Sequence, residues 1–109
     1  MATQGTVSVV KEGVVRMKIV AGSNGFHAKV LADWLRANPG TTAQDAFDKA
    51  SAVGFGSEDD LIVQSSPSEF ISNNGIAEVP PLYQVHFFDP IFNPRWSHGT
   101  ADHVEIVNE

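Results

Sequence analysis

The sequence predicts an α+β fold: two layers, a mostly antiparallel sheet with two helices on one face. Three observations lead there. β-branched runs flank a Gly-bearing turn near the N-terminus, and two stretches of helical periodicity follow, each closed by Pro or Gly. From Leu61 onward the chain returns to short apolar runs separated by turn residues. The expected element order is β-β-α-α-β-(β)-β-β within a single domain, residues 1–109.

Thr6 to Val10 is rich in β-branched residues and alternates weakly. Lys11-Glu12-Gly13 is a turn with Gly available for positive φ. Val14 to Ala21 then reads as a second strand with Val15, Met17 and Ile19 on one face, which makes an N-terminal hairpin. Gly22-Ser23-Asn24-Gly25 breaks it. Ser23 or Asn24 is the expected cap of the first helix, over residues 27–37, where Phe26, Val30, Leu31, Trp34 and Leu35 recur at three- and four-residue spacing. Asn38-Pro39-Gly40 ends it. Thr41 with Gln44, or Thr42 with Asp45, caps the second helix, whose stripe is Ala46, Phe47, Ala50 and Val53, with Gly54 just past its end.

Ser57-Glu58-Asp59-Asp60 reads as a solvated acidic turn before a short buried strand, Leu61 to Gln64. Phe70-Ile71 is expected as a brief edge strand between turn clusters. Leu82–Phe88 follows as a strand with Tyr83, Val85 and Phe87 opposing Leu82, Gln84, His86 and Phe88. His103 to Val107 is the last strand, with Val104 and Ile106 inward and His103 and Glu105 outward.

Composition removes several functions. Seven basic against thirteen acidic residues leave a net charge of −6, and the basic residues are scattered, so no nucleic-acid partner is expected. Apolar runs fall far below the ~20 residues a spanning helix needs, so no membrane partner is expected either. Cysteine is absent, which excludes disulfides, thiol nucleophiles and Cys-based metal sites and fits a cytoplasmic protein. No cofactor and no metal site are predicted. The turn 22–25 lacks the Lys-Ser/Thr of a phosphate loop and the third Gly of a dinucleotide fingerprint.

Chemistry-bearing residues concentrate in the segment Phe87 to Val107. Arg95 and Trp96 pair a guanidinium with an indole, a combination enriched where proteins bind anions or one another, and Pro90 and Pro94 stiffen the approach. Tyr83, His86 and His98 join them as ligand or interface candidates. His98, Asp102 and His103 offer imidazole and carboxylate for acid–base work, though their spacing matches no established metal or nucleophile motif. The competing reading is structural, with Trp96 plugging the core and His98 and Asp102 closing the loop through hydrogen bonds.

Phe92-Asn93-Pro94-Arg95-Trp96, Gly99-Thr100-Ala101-Asp102-His103-Val104 and Gly54-Phe55-Gly56-Ser57-Glu58-Asp59 form a pattern that resembles small bacterial proteins of mobile DNA, of the integron gene-cassette and phage type. The V-R-M-K-I-V-A-G-S-N-G-F stretch also looks alike. The resemblance implies an α+β cassette-type protein that often self-associates, and it assigns no activity. The expectation is a non-enzymatic binding or interaction protein, a homo-oligomer with a contact site or small pocket around residues 89–103. Its further partner would be a small molecule or a host or phage protein. The alternative is a small hydrolase using His98, Asp102 and His103, with Arg95 holding an anion.

Overall fold

The computed structural model describes residues 3–79, 81–92 and 101–109. Strand β1 (Gly5–Lys11) and strand β2 (Val14–Ala21) form the expected hairpin, antiparallel from Gly5 opposite Ala21 to Lys11 opposite Val14. The loop is Glu12-Gly13, and both residues have positive φ, 55° and 79°. That pair of signs matches the right-handed twist of the strands it joins. A bulge between Val9 and Val10 moves Val15 opposite Val10. Val15 is buried but lies outside the cluster that holds Met17 and Ile19, so those three residues do not share a face as the alternation predicts.

After a 3₁₀ turn at Gly25–His27 comes helix α1 (Ala28–Ala37), then helix α2 (Ala43–Ala52). Neither Ser23 nor Asn24 caps by its side chain. Ser23 Oγ donates instead to the Asp60 carboxylate at 2.8 Å, and the Gly22 N–H donates to the Asp60 carbonyl at 3.3 Å, so the acidic turn is fastened to the end of β2. Thr42 is the cap of α2, its hydroxyl accepting the Asp45 N–H at 3.2 Å. At the other end Gly54 (φ 78°) donates to the Ser51 carbonyl and Phe55 to the Ala50 carbonyl, which is the Schellman arrangement. Ala28, Leu31, Ala32 and Leu35 are the buried stripe of α1, while Phe26 and Val30 are exposed. Trp34 packs at the cluster's margin.

Strands β3 (Leu61–Gln64), β4 (Glu69–Ser72) and β5 (Gly75–Glu78) extend the sheet in a meander, and β6 (His103–Asn108) closes its other side. The order is β5-β4-β3-β2-β1-β6. Every neighbouring pair is antiparallel except β1 and β6, which run parallel from Gly5 opposite His103 to Val10 opposite Asn108. The fold is α+β with a mostly antiparallel open sheet. Phe70-Ile71 lies within β4, one strand in from the edge.

The expected strand Leu82–Phe88 is not a strand. Pro81–Gln84 forms a single helical turn, α3, and successive turns carry the chain onward: Phe87 N–H to Gln84 O, Asp89 N–H to His86 O, Phe92 N–H to Asp89 O. Pro at the first position of a helical turn loses nothing by lacking an N–H, and its φ is already helical. The sheet edge is supplied instead by β5, all of whose residues are exposed.

One face of the sheet meets the helices. Val7, Val9, Met17, Ile19, Leu61, Val63 and Val107 form a single cluster with the stripes of α1 and α2 and with Phe55. Val107 therefore faces inward, and with the period of two so do positions 103 and 105 of β6, the reverse of the expected register. Glu105 reaches Arg36 of α1 at 3.3 Å, and Arg36 also donates to the Ile106 carbonyl at 3.1 Å. The amide N–H groups of His103 and Glu109 point toward β1, so the Ile106 carbonyl lies on the outer edge, and Arg36 covers it. Among the described residues no helix is long and apolar enough to cross a membrane.

Candidate functional site

The second face of the sheet is unlike the first. Thr6, Ser8, Lys18 and Gln64 are all fully or almost fully buried there, beside Val20 and Ile62. The registers place Ser8 opposite Lys18 and Lys18 opposite Gln64. These three side chains thus form a polar row across β1, β2 and β3, at about 4.8 Å per strand. Thr6 lies one pleat along from Ser8 on the same face.

What covers this row is the segment that follows β5. The Lys18 ammonium donates to the carbonyls of His86 at 3.0 Å and Phe92 at 3.2 Å, and to that of Asp89. Ser8 Oγ donates to the Pro90 carbonyl at 2.5 Å. The turns of residues 84–92 aim their carbonyl oxygens at the sheet, and four of them find donors there. Phe87 is buried, and the His86 ring stacks on Phe92 with centroids 4.0 Å apart. Val85, Phe88 and Ile91 recur every three residues, in step with the i to i+3 bonds of these turns, and are 73%, 59% and 47% exposed.

Burial lowers the Lys18 ammonium from its ordinary 10.5 to about 8, with the negative charge of Asp89 opposing that shift. Lys18 forms an ion pair with no carboxylate among the described residues. Three carbonyl dipoles solvate the charge without neutralising it. Two other polar atoms on the same face, Thr6 Oγ1 and Gln64 Nε2, are buried with no hydrogen-bond partner among the described residues. Native interiors rarely leave such atoms alone.

Of the residues that the sequence singles out, Asp102 and His103 sit where β6 begins. The Asp102 carboxylate accepts the Gln4 N–H at 3.0 Å, and the His103 N–H donates to the Gln4 carbonyl at 3.1 Å, so this corner closes the parallel pairing of β1 with β6. His103 is exposed. His86 belongs to the covering segment. Arg95, Trp96, His98 and the Tyr83 side chain lie outside the described residues. Among the described residues no three His, Asp or Glu side chains gather as a metal site would require.

Sequence reasoning missed the polar row because Lys18 falls at an outward position of the alternation in β2, where a lysine is ordinarily solvated. The signal was nevertheless present. The outward positions of the central strands are Thr6, Ser8, Val20, Ile62 and Gln64, a set too poor in charge for a face meeting water.

An open groove of about 590 Å³ also lies between the end of α1 and the start of α2, where Lys49 Nζ stands 5.3 Å over the Trp34 ring. Its carboxylates, Asp45 and Asp48, are exposed, and the buried Thr41 that lines it donates its hydroxyl to the Asn38 carbonyl at 2.6 Å. No protein-family model, curated protein or solved structure matches the chain.

Proposed function

We propose that this chain is a non-enzymatic binding protein that pairs with a second copy of itself through the outer surface of residues 84–92. The observation that carries the reading is the trio Val85, Phe88 and Ile91, three large apolar side chains largely open to solvent on one short segment. An apolar surface of this kind, held in place from beneath by hydrogen bonds, is suited to association. Ordering has been met within the fold, so little entropy is lost when a partner docks. The −6 net charge and the lack of a basic patch favour a protein or small-molecule partner over nucleic acid. Origin in a mobile genetic element and a cytoplasmic location belong to the same proposal; the first rests on the C-terminal resemblance and the second on the cysteine-free composition.

The catalytic alternative has less behind it. One oxygen of Asp102 is already engaged by the Gln4 amide.

Light scattering coupled to size-exclusion chromatography tests the proposal. The wild-type chain should show a dimer whose population rises with concentration. Phe88→Glu combined with Val85→Glu should remain monomeric with an unchanged circular dichroism spectrum. A wild-type chain that stays monomeric at the highest attainable concentration rules the proposal out, and a dimer indifferent to both substitutions moves the interface elsewhere.

A further inference from the structure

We propose that the polar row Ser8–Lys18–Gln64, with Thr6, is a binding site for a small anionic group, a carboxylate or a phosphate, and that residues 86–92 act on it as a built-in substitute ligand. The site is made of hydrogen-bond donors: an ammonium, two hydroxyls and an amide NH₂, all buried on adjacent strands of one rigid sheet.

Everything this donor set receives from the covering segment is a backbone carbonyl oxygen. His86, Asp89 and Phe92 supply Lys18, and Pro90 supplies Ser8. A carbonyl oxygen occupies the place a carboxylate or phosphate oxygen would take, but it brings a dipole where a full negative charge would serve better. The substitution is also incomplete. Thr6 Oγ1 and Gln64 Nε2 receive nothing. Among the described residues this is a buried ammonium without an ion-pair partner beside two buried polar atoms without a hydrogen-bond partner, an unbalanced arrangement for a purely structural core. An anion with several oxygens corrects both faults at once.

The covering segment joins no sheet ladder and meets the donors of the polar row through those carbonyls, so the exchange trades one set of acceptors for another while uncovering Phe87. Binding then displaces residues 86–92 outward, and the surface bearing Phe88 and Ile91 moves with them.

The experiment uses inorganic phosphate and acetate as separate probes, titrated at constant ionic strength against chloride and followed by thermal unfolding. A saturable rise in melting temperature with either anion supports the site, and the stronger of the two identifies the class of its ligand. Lys18→Met should weaken binding by about tenfold to a hundredfold, the effect of losing a charged hydrogen bond. Thr6→Val and Gln64→Leu remove unpartnered atoms and leave the present hydrogen bonds intact, so they should fold normally and bind about threefold to tenfold less tightly. Hydrogen exchange on the wild type should show faster exchange in residues 84–92 on anion binding while the strands stay protected. Absence of a saturable shift with both anions overturns the proposal. So does binding that is undiminished in Thr6→Val and Gln64→Leu, or slower exchange in the covering segment.

Discussion

The Lys18 ammonium on β2 donates to the backbone carbonyl of His86 at 3.0 Å, joining two points sixty-eight residues apart in the sequence. Lys18 thereby sets where the segment after β5 lies, and with it where the apolar trio is displayed. A charge at the centre of a sheet face would normally be excluded by its desolvation cost. Here the turns of residues 84–92 fold their carbonyls over it.

Lys18→Met removes the ammonium from three carbonyl oxygens, of which those of His86 and Asp89 keep the N–H of the next turn, and should cost about 2 kcal/mol at neutral pH. The pH dependence has a definite sign. Burial holds the folded group near 8, against an ordinary 10.5 in the unfolded chain. Between those values the unfolded chain carries the proton and the folded one does not, so wild-type stability rises with pH relative to Lys18→Met. Urea unfolding of both proteins across this window should show the gap widening. A constant or shrinking gap would contradict the assignment.

Glu12 occupies a left-handed conformation at φ 55° in the hairpin loop, where Asn or Gly is far better suited. Glu12→Asn should stabilise the protein by about 0.5–1 kcal/mol. The midpoint of denaturant unfolding checks this, and a loss of stability would show that Glu12 contributes something beyond backbone geometry.

Two glycines should respond very differently to alanine. A Cβ on Gly25 would stand 2.3 Å from the backbone of Gln4 and Gly5, because the 3₁₀ turn crosses the start of β1 at backbone contact. Gly25→Ala should cost about 3 kcal/mol. At Gly54 the nearest atom, in His27, would be 3.8 Å away, so Gly54→Ala carries only the strain of positive φ, about 1 kcal/mol. Equal losses in the two variants would refute the steric account.

Glu109 meets Arg16 through two hydrogen bonds, 2.7 and 3.1 Å, and accepts the Gly40 N–H at 3.0 Å. The hydrogen bond from Arg16, followed by that from Gly40, holds its carboxyl below the ordinary 4.5. Its stabilisation is complete above that value and disappears as pH falls through the folded one. Glu109→Gln should cost about 1 kcal/mol at neutral pH. Its unfolding curve should merge with that of the wild type in acid; a difference that persists would point to packing.

The hairpin, both helices and the stop at Gly54 were legible because each has a local cause in turn chemistry or periodicity, while the cap at Thr42 was one of two registers that the hydroxyl offsets allowed. The failures have a common origin in tertiary context. Leu82–Phe88 alternates like a strand, yet Pro81 starts a helical turn and Lys18 draws the following carbonyls inward, so a distant donor outweighs local pattern. Val104 and Ile106 are more apolar than His103 and Glu105, but the parallel register with β1 places Val107 in the core and Glu105 within reach of Arg36. Phe26 and Val30 fit the helical spacing and still face solvent, because Ala28 and Ala32 let α1 approach the sheet on its small-residue side. The polar row was missed for the same reason, since only the covering segment turns an outward lysine into a buried one.

The parallel pairing of β1 with β6 bears on how the protein is made. β1 leaves the ribosome long before its second neighbour, which follows only after every other described strand and helix, with Gln4 and Asp102 ninety-eight positions apart. Throughout synthesis one flank of β1 stays open, and loop closure over so much chain is slow. A nascent chain in that condition is vulnerable to strand invasion by its neighbours, and a chaperone that shields β1 until β6 emerges would raise the yield of native protein more than one acting on either helix.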